Sequence, residues 1–458
     1  MNEPEQVDLV VIGAGMSGLR AASVAARSLR VLVLEKLDEV GGSARLSAGM
    51  FWLPPTMAAY DEHVPHGDRR LAAAVLAAYD DEVAQIRASG VFVAEEPHRQ
   101  VMGWGRGYST DIRPYLLHMR DQLIARGGTV LTDAGVTEVE RRGGHFLVRF
   151  ERGGAVAQVV ASAVVLATGG FQGSAALRAE LLPQVGPDIL VRSNPGSRGD
   201  GLRFGRSLGA AEAGDTGSFY GHLIPHPIAS WSPEQFFHYS IYFSSHAVLV
   251  VADGRRVSDE SRGDELLNQD LAGVPGMRGF VIFDESVRSS HALSEPFPNF
   301  VSLDRLRYAM DAGARHAVAP TFEELADRLA GFGVDREQLL RTLRGDTTRS
   351  FLASRLERAP LPEAGQLAEL RTPPYYALEV QPSITFTMGG LAVDTTARVL
   401  GGDGAPIPGL YAIGCDIGGL SSYGYAGGLA PAHITGTAAG RDAVRYVHSG
   451  SAPGAAVG

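Results

Sequence analysis

The first part of the chain is a series of apolar runs separated by glycines. Residues 7–12, VDLVVI, are rich in β-branched side chains, which favours a strand buried on both faces of a parallel sheet. The glycines of GAGMSG begin at Gly13, and an alanine-rich stretch from Leu19 to Arg27 indicates a helix. A second apolar run, 31–34, ends at the acidic Glu35. This order predicts a βαβ unit in which the first strand turns directly into a helix.

The following residues alternate between helical and extended patterns. Apolar residues at three- and four-residue steps predict helices over 69–90 and 113–126, and we expect the segment 100–110 to be a loop that carries Trp104 and Tyr108. The strands expected after the second helix are 129–140, 146–150, 156–160 and 163–167, the first three forming a β-meander inserted into the sheet.

The pattern changes at residue 216, where aromatic residues and histidines become frequent. Several helices are expected up to about residue 370, and we interpret this part as a separate lobe. The aromatic residues of 219–243 suit either the core of that lobe or a substrate pocket. Glycine-rich strands resume after Pro373, at 388–394 and 409–414, and a final helix is expected over 429–446. The predicted division is therefore 1–215, an inserted lobe 216–371, 372–446, and a disordered tail 447–458.

Composition and charge narrow the class of protein. The chain has 458 residues, of which 45% are hydrophobic and 20% charged, as in a globular protein with a large core. The net charge of −10 without a basic run argues against nucleic acid or an anionic membrane as a partner. No apolar run reaches the roughly 18 residues of a membrane span, and the acidic start MNEPEQ does not resemble a signal peptide. Cys415 is the only cysteine, so an intramolecular disulfide, a CxxC metal site and CxxCH haem attachment are excluded. We expect a cytoplasmic, bacterial protein without metal.

The glycines and the acidic residue of the βαβ unit are each suited to binding a dinucleotide. Gly13 permits the tight turn, Gly15 lets the backbone approach a pyrophosphate, and Gly18 lets the helix pack close to the strand. The helix N-terminus then offers free N–H groups to the phosphates. Glu35 lies where a carboxylate can accept hydrogen bonds from ribose hydroxyls. The small residues of 41–49 predict a second close approach, by a flavin ring and its ribityl chain.

The motifs taken together resemble a known family. After the first glycines come GGSARLSAG, VVLATGGF, RGDG, TMGGLAVD and IPGLYAIGCDIGG, in an order that resembles the FAD-binding fumarate reductase/3-ketosteroid dehydrogenase family. The resemblance covers roughly residues 1–215 and 372–446. It implies an α/β fold, with a Rossmann-like FAD-binding domain of the glutathione-reductase type and an inserted α+β substrate-capping domain. It also implies hydride transfer between flavin N5 and a carbon of an activated C–C bond.

The resemblance implies a set of flavin contacts. Ser43 stands where some relatives carry a histidine that binds FAD covalently, so we expect non-covalent FAD, and Asp416 stands where the family has a glutamate. The residues expected to hold the cofactor are Gly13, Gly15, Met16, Ser17, Gly18, Glu35, Lys36, Gly42, Ser43, Ser47, Ala48, Gly49, Val136, Ala167, Thr168, Gly169, Asp200, Gly414, Asp416, Gly428 and Leu429.

The dicarboxylate anchors of the fumarate reductases are mostly missing. His226, followed by proline, resembles the first catalytic histidine, but Phe386 stands in the place of the second and Tyr425 in the place of a late arginine. Arg262 lies near the position of the proton-donating arginine but out of register. Because an unpaired buried carboxylate costs several kcal/mol, fumarate or succinate is an improbable substrate.

Tyr425 instead resembles a tyrosine of the 3-ketosteroid dehydrogenases. Removal of hydrogen next to a ketone needs a hydride acceptor, a base for the acidic α proton and hydrogen bonds to the carbonyl. Tyr425 can be that base if its phenolate is favoured by neighbours or by a helix N-terminus, and N–H groups near Gly428 and Leu429 can hold the carbonyl. The steroid enzymes also use tyrosines from the cap and from an early loop, for which the candidates are Tyr242, Tyr239 and Tyr108.

Three functions follow from these residues. The first is an FAD-dependent dehydrogenase or ene-reductase that acts at the α,β carbons of a small carbonyl compound, with Tyr425 moving the α proton. The second is a fumarate-reductase-like reductase of a small unsaturated acid that uses His226 and Arg262. The third is a flavin-carrying subunit that passes electrons to a partner. The electron donor or acceptor, the direction of reaction and the oligomeric state stay open, and no second dinucleotide fingerprint supports bound NAD(P)H.

Overall fold

A computed structural model describes residues 5–101, 104–185, 188–293, 302–350 and 368–450. The helices are α1 Met16–Ala25, α2 Met57–His63, α3 Arg69–Ala88, α4 Ile112–Ala125, α5 Ala175–Leu181, α6 Asp200–Ser207, α7 Phe236–Tyr239, α8 Asp264–Ala272, α9 Glu285–Val287, α10 Arg305–Asp311, α11 Phe322–Ala330, α12 Arg336–Leu343 and α13 Leu429–His448. None of these helices is both long and apolar enough to cross a membrane.

Many of the strands are short. They are β1 Glu5–Ile12, β2 Val31–Leu34, β3 Met50–Leu53, β4 His98–Val101, β5 Gly105–Ser109, β6 Thr129–Leu131, β7 Ala134–Arg142, β8 His145–Arg152, β9 Ala155–Leu166, β10 Leu190–Val191, β11 Glu212–Ala213, β12 Phe219–Tyr220, β13 Ile224–Pro225, β14 Val248–Val250, β15 Gly279–Asp284, β16 His316–Ala319, β17 Tyr375–Gln381, β18 Ser383–Ile384, β19 Phe386–Thr387, β20 Gly390–Leu391, β21 Arg398–Leu400 and β22 Pro406–Ala412.

The largest sheet is built around β1. Its strand order is β21-β22-β9-β1-β2-β6, with β1 parallel to both β2 and β9, and Leu9 lies opposite Val31 on one side and Ala163 on the other. Leu9, Val10 and Val11 are fully buried, as the sequence predicts for a central strand. Each such side chain contributes about 1.5–3 kcal/mol by leaving water. Helix α1 packs between this sheet and α13, so the glycine turn between β1 and α1 is held from both sides.

The predicted extended segments are divided differently in the structure. The strand expected over 129–140 is two strands, β6 and β7, because the chain turns at Asp133, whose φ is 52°. The two strands expected at 156–160 and 163–167 are instead one continuous strand, β9, which pairs with β8 along its first half and with β1 along most of its length. The final helix runs to His448, beyond the predicted start of the tail at 447, and residues 451–458 lie outside the described part of the chain.

The segment 100–110 contains strands where a loop was expected. Strands β4 and β5 pair with each other, and β5 pairs with β3, so that Met50 lies opposite Ser109. Gly105 lies under the Trp52 ring, where an added Cβ would come within 2.1 Å of the indole. The sequence pattern of 100–110 did not show this because the partner strand lies about fifty residues earlier in the chain.

A second, five-stranded sheet lies in the inserted part of the chain. Its order is β13-β17-β15-β14, with β16 also paired to β17, and all the pairs are antiparallel. Helices α8 and α10 contribute to the apolar core on one face of it, and α11 and α12 to the core on the other. Strand β17 belongs to this sheet although it follows residue 371, the predicted end of the insertion, and the domain boundaries stay a prediction.

Candidate active site

A cavity connects the glycine turn to the inserted part of the chain. One end is lined by the β1–α1 turn and by Glu35, and the other by Trp52, Tyr425 and residues of the inserted lobe. The cavity is lined by eighteen of the predicted cofactor residues: Gly13, Gly15, Met16, Ser17, Glu35, Lys36, Gly42, Ser43, Ser47, Ala48, Val136, Ala167, Thr168, Gly169, Asp200, Gly414, Gly428 and Leu429.

The nucleotide end has the shape of a dinucleotide cradle. Gly13 has a φ of 105°, and a Cβ on Gly18 would stand 2.0 Å from the Gly13 carbonyl oxygen, so both positions need glycine. At Gly15 an added Cβ would meet no atom within 4 Å, so the open space there suits the close approach of a phosphate to the backbone. Gly15, Met16 and Ser17, at the start of α1, line the same cavity, and the N-terminus of a helix offers free N–H groups to a phosphate. This end of the cavity therefore fits the pyrophosphate of FAD.

Glu35 is held in place by the backbone. Its buried carboxylate accepts hydrogen bonds from the N–H groups of Ala14 at 2.8 Å and Leu37 at 3.0 Å. Each carboxylate oxygen keeps a second lone pair for a ribose hydroxyl. Next to it, Lys36 forms an ion pair with Asp200 at 2.6 Å. The acid predicted from the spacing thus lies on the cavity wall with its orientation fixed.

Three predicted cofactor residues shape the cavity without lining it. Gly18 packs α1 against β1, and Gly49 lies against the Thr110 carbonyl oxygen, 2.1 Å from where its Cβ would be. Asp416 is buried and accepts hydrogen bonds from the Thr168 hydroxyl at 2.9 Å and from the Gly170 N–H at 3.2 Å. These three residues act on the cofactor site through the backbone that they position.

Tyr425 is enclosed by aromatic rings at the other end of the cavity. Its ring stacks on Trp52 at a centroid distance of 4.8 Å and on Tyr220 at 4.1 Å, and Phe386 lies 6.0 Å away. Burial raises the pKa of Tyr425 above its usual range. The phenol therefore stays protonated at neutral pH.

A tyrosine, a histidine and an aspartate form a chain of hydrogen bonds beside Tyr425. The Tyr220 hydroxyl lies 2.7 Å from His222 Nε2, and His222 Nδ1 is hydrogen-bonded to Asp264. Tyr242 lies edge-on to the His222 ring at 4.9 Å. Tyr220, His222 and Tyr242 all line the cavity.

A buried arginine also faces this end of the cavity. Arg192 is 3% exposed and donates hydrogen bonds to the Thr385 hydroxyl at 2.9 Å and to the Ser240 hydroxyl at 3.1 Å. Its guanidinium lies 4.5 Å from the centre of the Phe236 ring. Within the described ranges no carboxylate lies at ion-pair distance from it, so its charge is available to the cavity.

Only two of the predicted catalytic residues, Tyr425 and Tyr242, line the cavity. His226 directly follows Pro225, the last residue of β13, and its Nδ1 lies 3.4 Å from the Glu379 carboxylate. Arg262 donates to the Tyr423 hydroxyl at 3.3 Å. Neither His226 nor Arg262 lines this cavity.

The two remaining tyrosine candidates also lie outside the cavity lining. Tyr108 lies on β5 against Tyr79, with the Arg87 guanidinium 5.0 Å above its ring, and Tyr239 packs near Trp231. Sequence reasoning missed Trp52, Arg192, Tyr220, His222, Phe236 and Asp264 as site residues. The one available signal was the aromatic and histidine density of 219–243, which supplies both core residues and cavity residues.

Comparison with known proteins identifies a family whose profile matches most of the chain. The profile of a family described as "FAD binding domain" matches residues 8–146 and 108–429. The chain is 26% identical over 480 residues to the NADH:fumarate oxidoreductase of Klebsiella pneumoniae (strain 342), covering 96% of this chain and 48% of that protein, so it spans about half the length of this relative. It is 26% identical to the 4-oxocyclohexanecarboxylate 2-dehydrogenase of Sinomonas cyclohexanicum, covering 95% of this chain and 92% of the relative.

A solved structure shows the same fold. The 3-ketosteroid delta1-dehydrogenase from Sterolibacterium denitrificans superposes with a TM-score of 0.74 at 19% identity, covering 96% of this chain and all of the other. This likeness and the family profile confirm the predicted α/β fold with an FAD-binding domain.

Proposed function

Because the chain belongs to the FAD binding domain family, which confirms FAD as its cofactor, we propose that it is an FAD-dependent oxidoreductase acting on the α,β carbon–carbon bond of a carbonyl compound. The observation that carries this proposal is the buried, protonated Tyr425, which lines the same cavity as the flavin-side residues Ser43 and Gly414. Bound FAD would accept or donate the hydride at its N5 atom.

In this proposal Tyr425 donates a hydrogen bond to the carbonyl oxygen and does not remove the α proton. The sequence-based role as base required a neighbour that favours the phenolate, but burial has the opposite effect on its pKa. The Gly428 N–H is directed at the Tyr425 hydroxyl oxygen, which leaves the phenolic O–H free to donate elsewhere. A neutral phenol that donates to the carbonyl oxygen stabilises the negative charge that develops there.

The aromatic walls suit an apolar, ring-shaped substrate. Trp52, Phe386 and Tyr242 bring flat apolar surfaces to the same end of the cavity. Rings of this kind bind hydrophobic groups well and exclude water from the reacting carbons. A cyclic ketone or a related enone is therefore the substrate class that we propose, and one site of this kind catalyses both desaturation and reduction.

A second candidate rests on Arg192. A buried guanidinium that faces the cavity can bind a carboxylate through two parallel hydrogen bonds. This observation favours a reductase of a small unsaturated acid, now with Arg192 as the anchor in place of His226 and Arg262. Phe386 and Tyr425 lie where a dicarboxylate would need further cations, so a monocarboxylate is the acid that fits.

The test is anaerobic reduction of the FAD-loaded enzyme across a panel of compounds. The panel contains saturated cyclic ketones, 3-ketosteroids, succinate and saturated monocarboxylates, and bleaching of the visible flavin band reports hydride transfer. Chemically reduced enzyme is then mixed with the matching enones and unsaturated acids. We expect ketones or enones to react and Tyr425→Phe, with FAD still bound, to lose roughly 10²–10³ in rate, as for removal of one oxyanion donor.

The matched control for this variant is Tyr239→Phe, which removes the hydroxyl of a buried tyrosine outside the cavity lining. It should react at the wild-type rate. A reaction with acids alone, lost in Arg192→Gln and unchanged in Tyr425→Phe, would replace the ketone proposal with the acid proposal. If no compound reacts with either oxidised or reduced enzyme, both proposals are wrong and the flavin-carrier function remains.

We propose that the predicted division of the chain also holds with one change. Residues 1–215 and 372–446 form the FAD-binding domain and 216–371 the cap, except that β17 belongs to the cap because four of its neighbours in the fold, β13, β15, β16 and α8, lie in that part. The substrate cavity lies where the two parts meet, with Trp52 and Tyr425 on one side and His222 and Tyr242 on the other.

A further inference from the structure

The chain of hydrogen bonds from Tyr220 to Asp264 runs from the cavity wall into the protein. Tyr220 is the last residue of β12, and its ring stacks on that of Tyr425 with the centroids 4.1 Å apart, so it lies beside the residue that we assign to the carbonyl. His222 is 2% exposed and Asp264, the first residue of α8, is 7% exposed. Water therefore has little access to this chain, and the Tyr220 hydroxyl is its end toward the cavity.

We propose that Tyr220, His222 and Asp264 form a proton relay that removes and returns the α proton of the substrate. The inference rests on the proposed function, in which no residue yet removes the α proton, and it assigns that base. Tyr220 is a catalytic residue in this relay, whereas His222 and Asp264 act through it.

The bonds and charges of the relay balance in both directions. In desaturation the α C–H bond breaks, its proton goes to the Tyr220 oxygen, and the Tyr220 proton passes to His222 Nε2. The electron pair of that bond forms the C=C bond, and FAD, when bound, would accept the β hydride. Asp264 keeps the proton on Nδ1 and balances the charge of the imidazolium, as a carboxylate does behind a catalytic histidine. In reduction each proton transfer runs in reverse, and reduced FAD would supply the hydride.

Burial favours the uncharged forms of both His222 and Asp264, because it lowers the pKa of the histidine and raises that of the carboxyl. The nearby charge of Arg192 lowers the pKa of Asp264 and so favours the ionised carboxylate that the relay needs. Burial also raises the pKa of Glu265, which therefore stays neutral beside Asp264. The titratable or charged side chains that face the three relay residues are Arg192, Tyr242, Glu265 and Tyr425.

The kinetic test compares Asp264→Asn with a matched variant of another histidine–carboxylate pair. His226 pairs with Glu379 in the same lobe but does not line the cavity, so His226→Gln is the control. We expect Asp264→Asn to bind FAD and to lose roughly 10²–10³ in the rate of flavin reduction, since general acid–base groups contribute about that much. KM should change little, and the acidic limb of the pH profile should move to lower pH because the imidazolium loses its counter-charge.

Tyr220→Phe is the second variant, and it keeps the stacked ring. It should slow hydride transfer as Asp264→Asn does and should also abolish exchange of the α proton of a bound ketone with deuterated solvent. His226→Gln should retain the wild-type rate and exchange. If Asp264→Asn and Tyr220→Phe both react at the wild-type rate with the wild-type pH profile, the relay is refuted while the proposed function stands. If the wild-type enzyme reacts with no ketone or enone, the proposed function itself fails.

A measurement without substrate tests the hydrogen bonds directly. In a protein labelled with ¹⁵N histidine, the Nδ1 proton of His222 should resonate far downfield because it is shared with a buried carboxylate. The signal should vanish in Asp264→Asn and persist in His226→Gln. Its persistence in Asp264→Asn would show that Asp264 does not hold His222, which overturns the relay whatever the activity.

Discussion

His433 offers the sharpest test of the electrostatics behind the FAD-binding domain. It lies on α13 with no exposed surface, accepts a hydrogen bond from the Tyr115 hydroxyl at 2.6 Å, and has Nδ1 3.1 Å from the Glu82 carboxylate. Glu82 also receives hydrogen bonds from Arg20 at 2.8 Å and from Thr437 at 2.9 Å. The network joins helices α1, α3, α4 and α13, which surround the cofactor turn.

Replacement of His433 by glutamine should remove part of the acid sensitivity of the fold. Burial lowers the pKa of His433 to about 4, whereas an unfolded histidine titrates near 6.5. Because the folded pKa is the lower one, the stabilisation is complete above the unfolded pKa and is lost as the pH falls toward the folded pKa. A difference of about 2.5 pKa units corresponds to about 3 kcal/mol lost between pH 6.5 and 4.

The pH range in which Glu82 takes up its proton overlaps that window only at the acidic end. Burial raises its pKa, but the hydrogen bond and charge of His433 and the charge of Arg20 outweigh burial and lower the pKa to about 2. Its contribution is lost only below the unfolded value near 4.5. Other buried histidines, such as His222, add to the wild-type slope, so the measured quantity is the difference between wild type and His433→Gln.

The assay is thermal unfolding of the FAD-loaded enzyme at fixed excess FAD, followed by flavin fluorescence at pH 6.5, 5 and 4. At roughly 2 °C per kcal/mol for a chain of this size, wild type should lose roughly 6 °C more than His433→Gln over this range. His448→Gln, an exposed histidine on the same helix, should follow the wild-type slope. Equal slopes for wild type and His433→Gln would refute the reasoning, because the buried imidazole would then be free to take up a proton.

Three further predictions concern the cofactor. Glu35→Gln should weaken FAD binding roughly 10- to 100-fold in a fluorescence titration, because charge-assisted hydrogen bonds of about 1.5–3 kcal/mol are lost; unchanged affinity would contradict the ribose contact. Gly18→Ala should yield protein without FAD and with a lower Tm, because the added Cβ would stand 2.0 Å from the Gly13 carbonyl oxygen. The control Gly135→Ala should bind FAD normally, because its Cβ would meet its nearest neighbour at 3.7 Å. Acid precipitation should release all of the flavin because Ser43 offers no covalent link; flavin that stays with the pellet would disprove this.

The nucleotide end of the cavity could be predicted from sequence because backbone requirements fix it. Gly13 needs its positive φ and Gly18 has no room for a side chain, and both demands are local to one strand–turn–helix unit. Glu35 follows from the same unit, since the next parallel strand must end beside the first. The family resemblance added the later glycine motifs in their order.

The substrate end could not be predicted in the same way. His222 and Asp264 lie 42 residues apart, and Trp52 approaches Tyr425 from a strand near the opposite end of the chain. No local pattern records such pairs, because each depends on how the inserted lobe packs against the FAD-binding domain. The strands of 98–109 were missed for the same reason, since their partner β3 lies far away in sequence.

Arg192 shows why the ketone proposal is preferred to the acid proposal. A buried cation is costly unless something nearby uses its charge. Arg192 acts through space on Tyr220, His222 and Asp264, lowering the pKa of all three and so favouring the ionised carboxylate on which the relay depends. The charge of Arg192 therefore acts on groups within the protein, and no carboxylate in the substrate is needed to explain its burial. A substrate carboxylate bound to it would cancel the charge that favours the ionised Asp264, on which the relay depends, so an uncharged ketone is the substrate with which all of these groups work together.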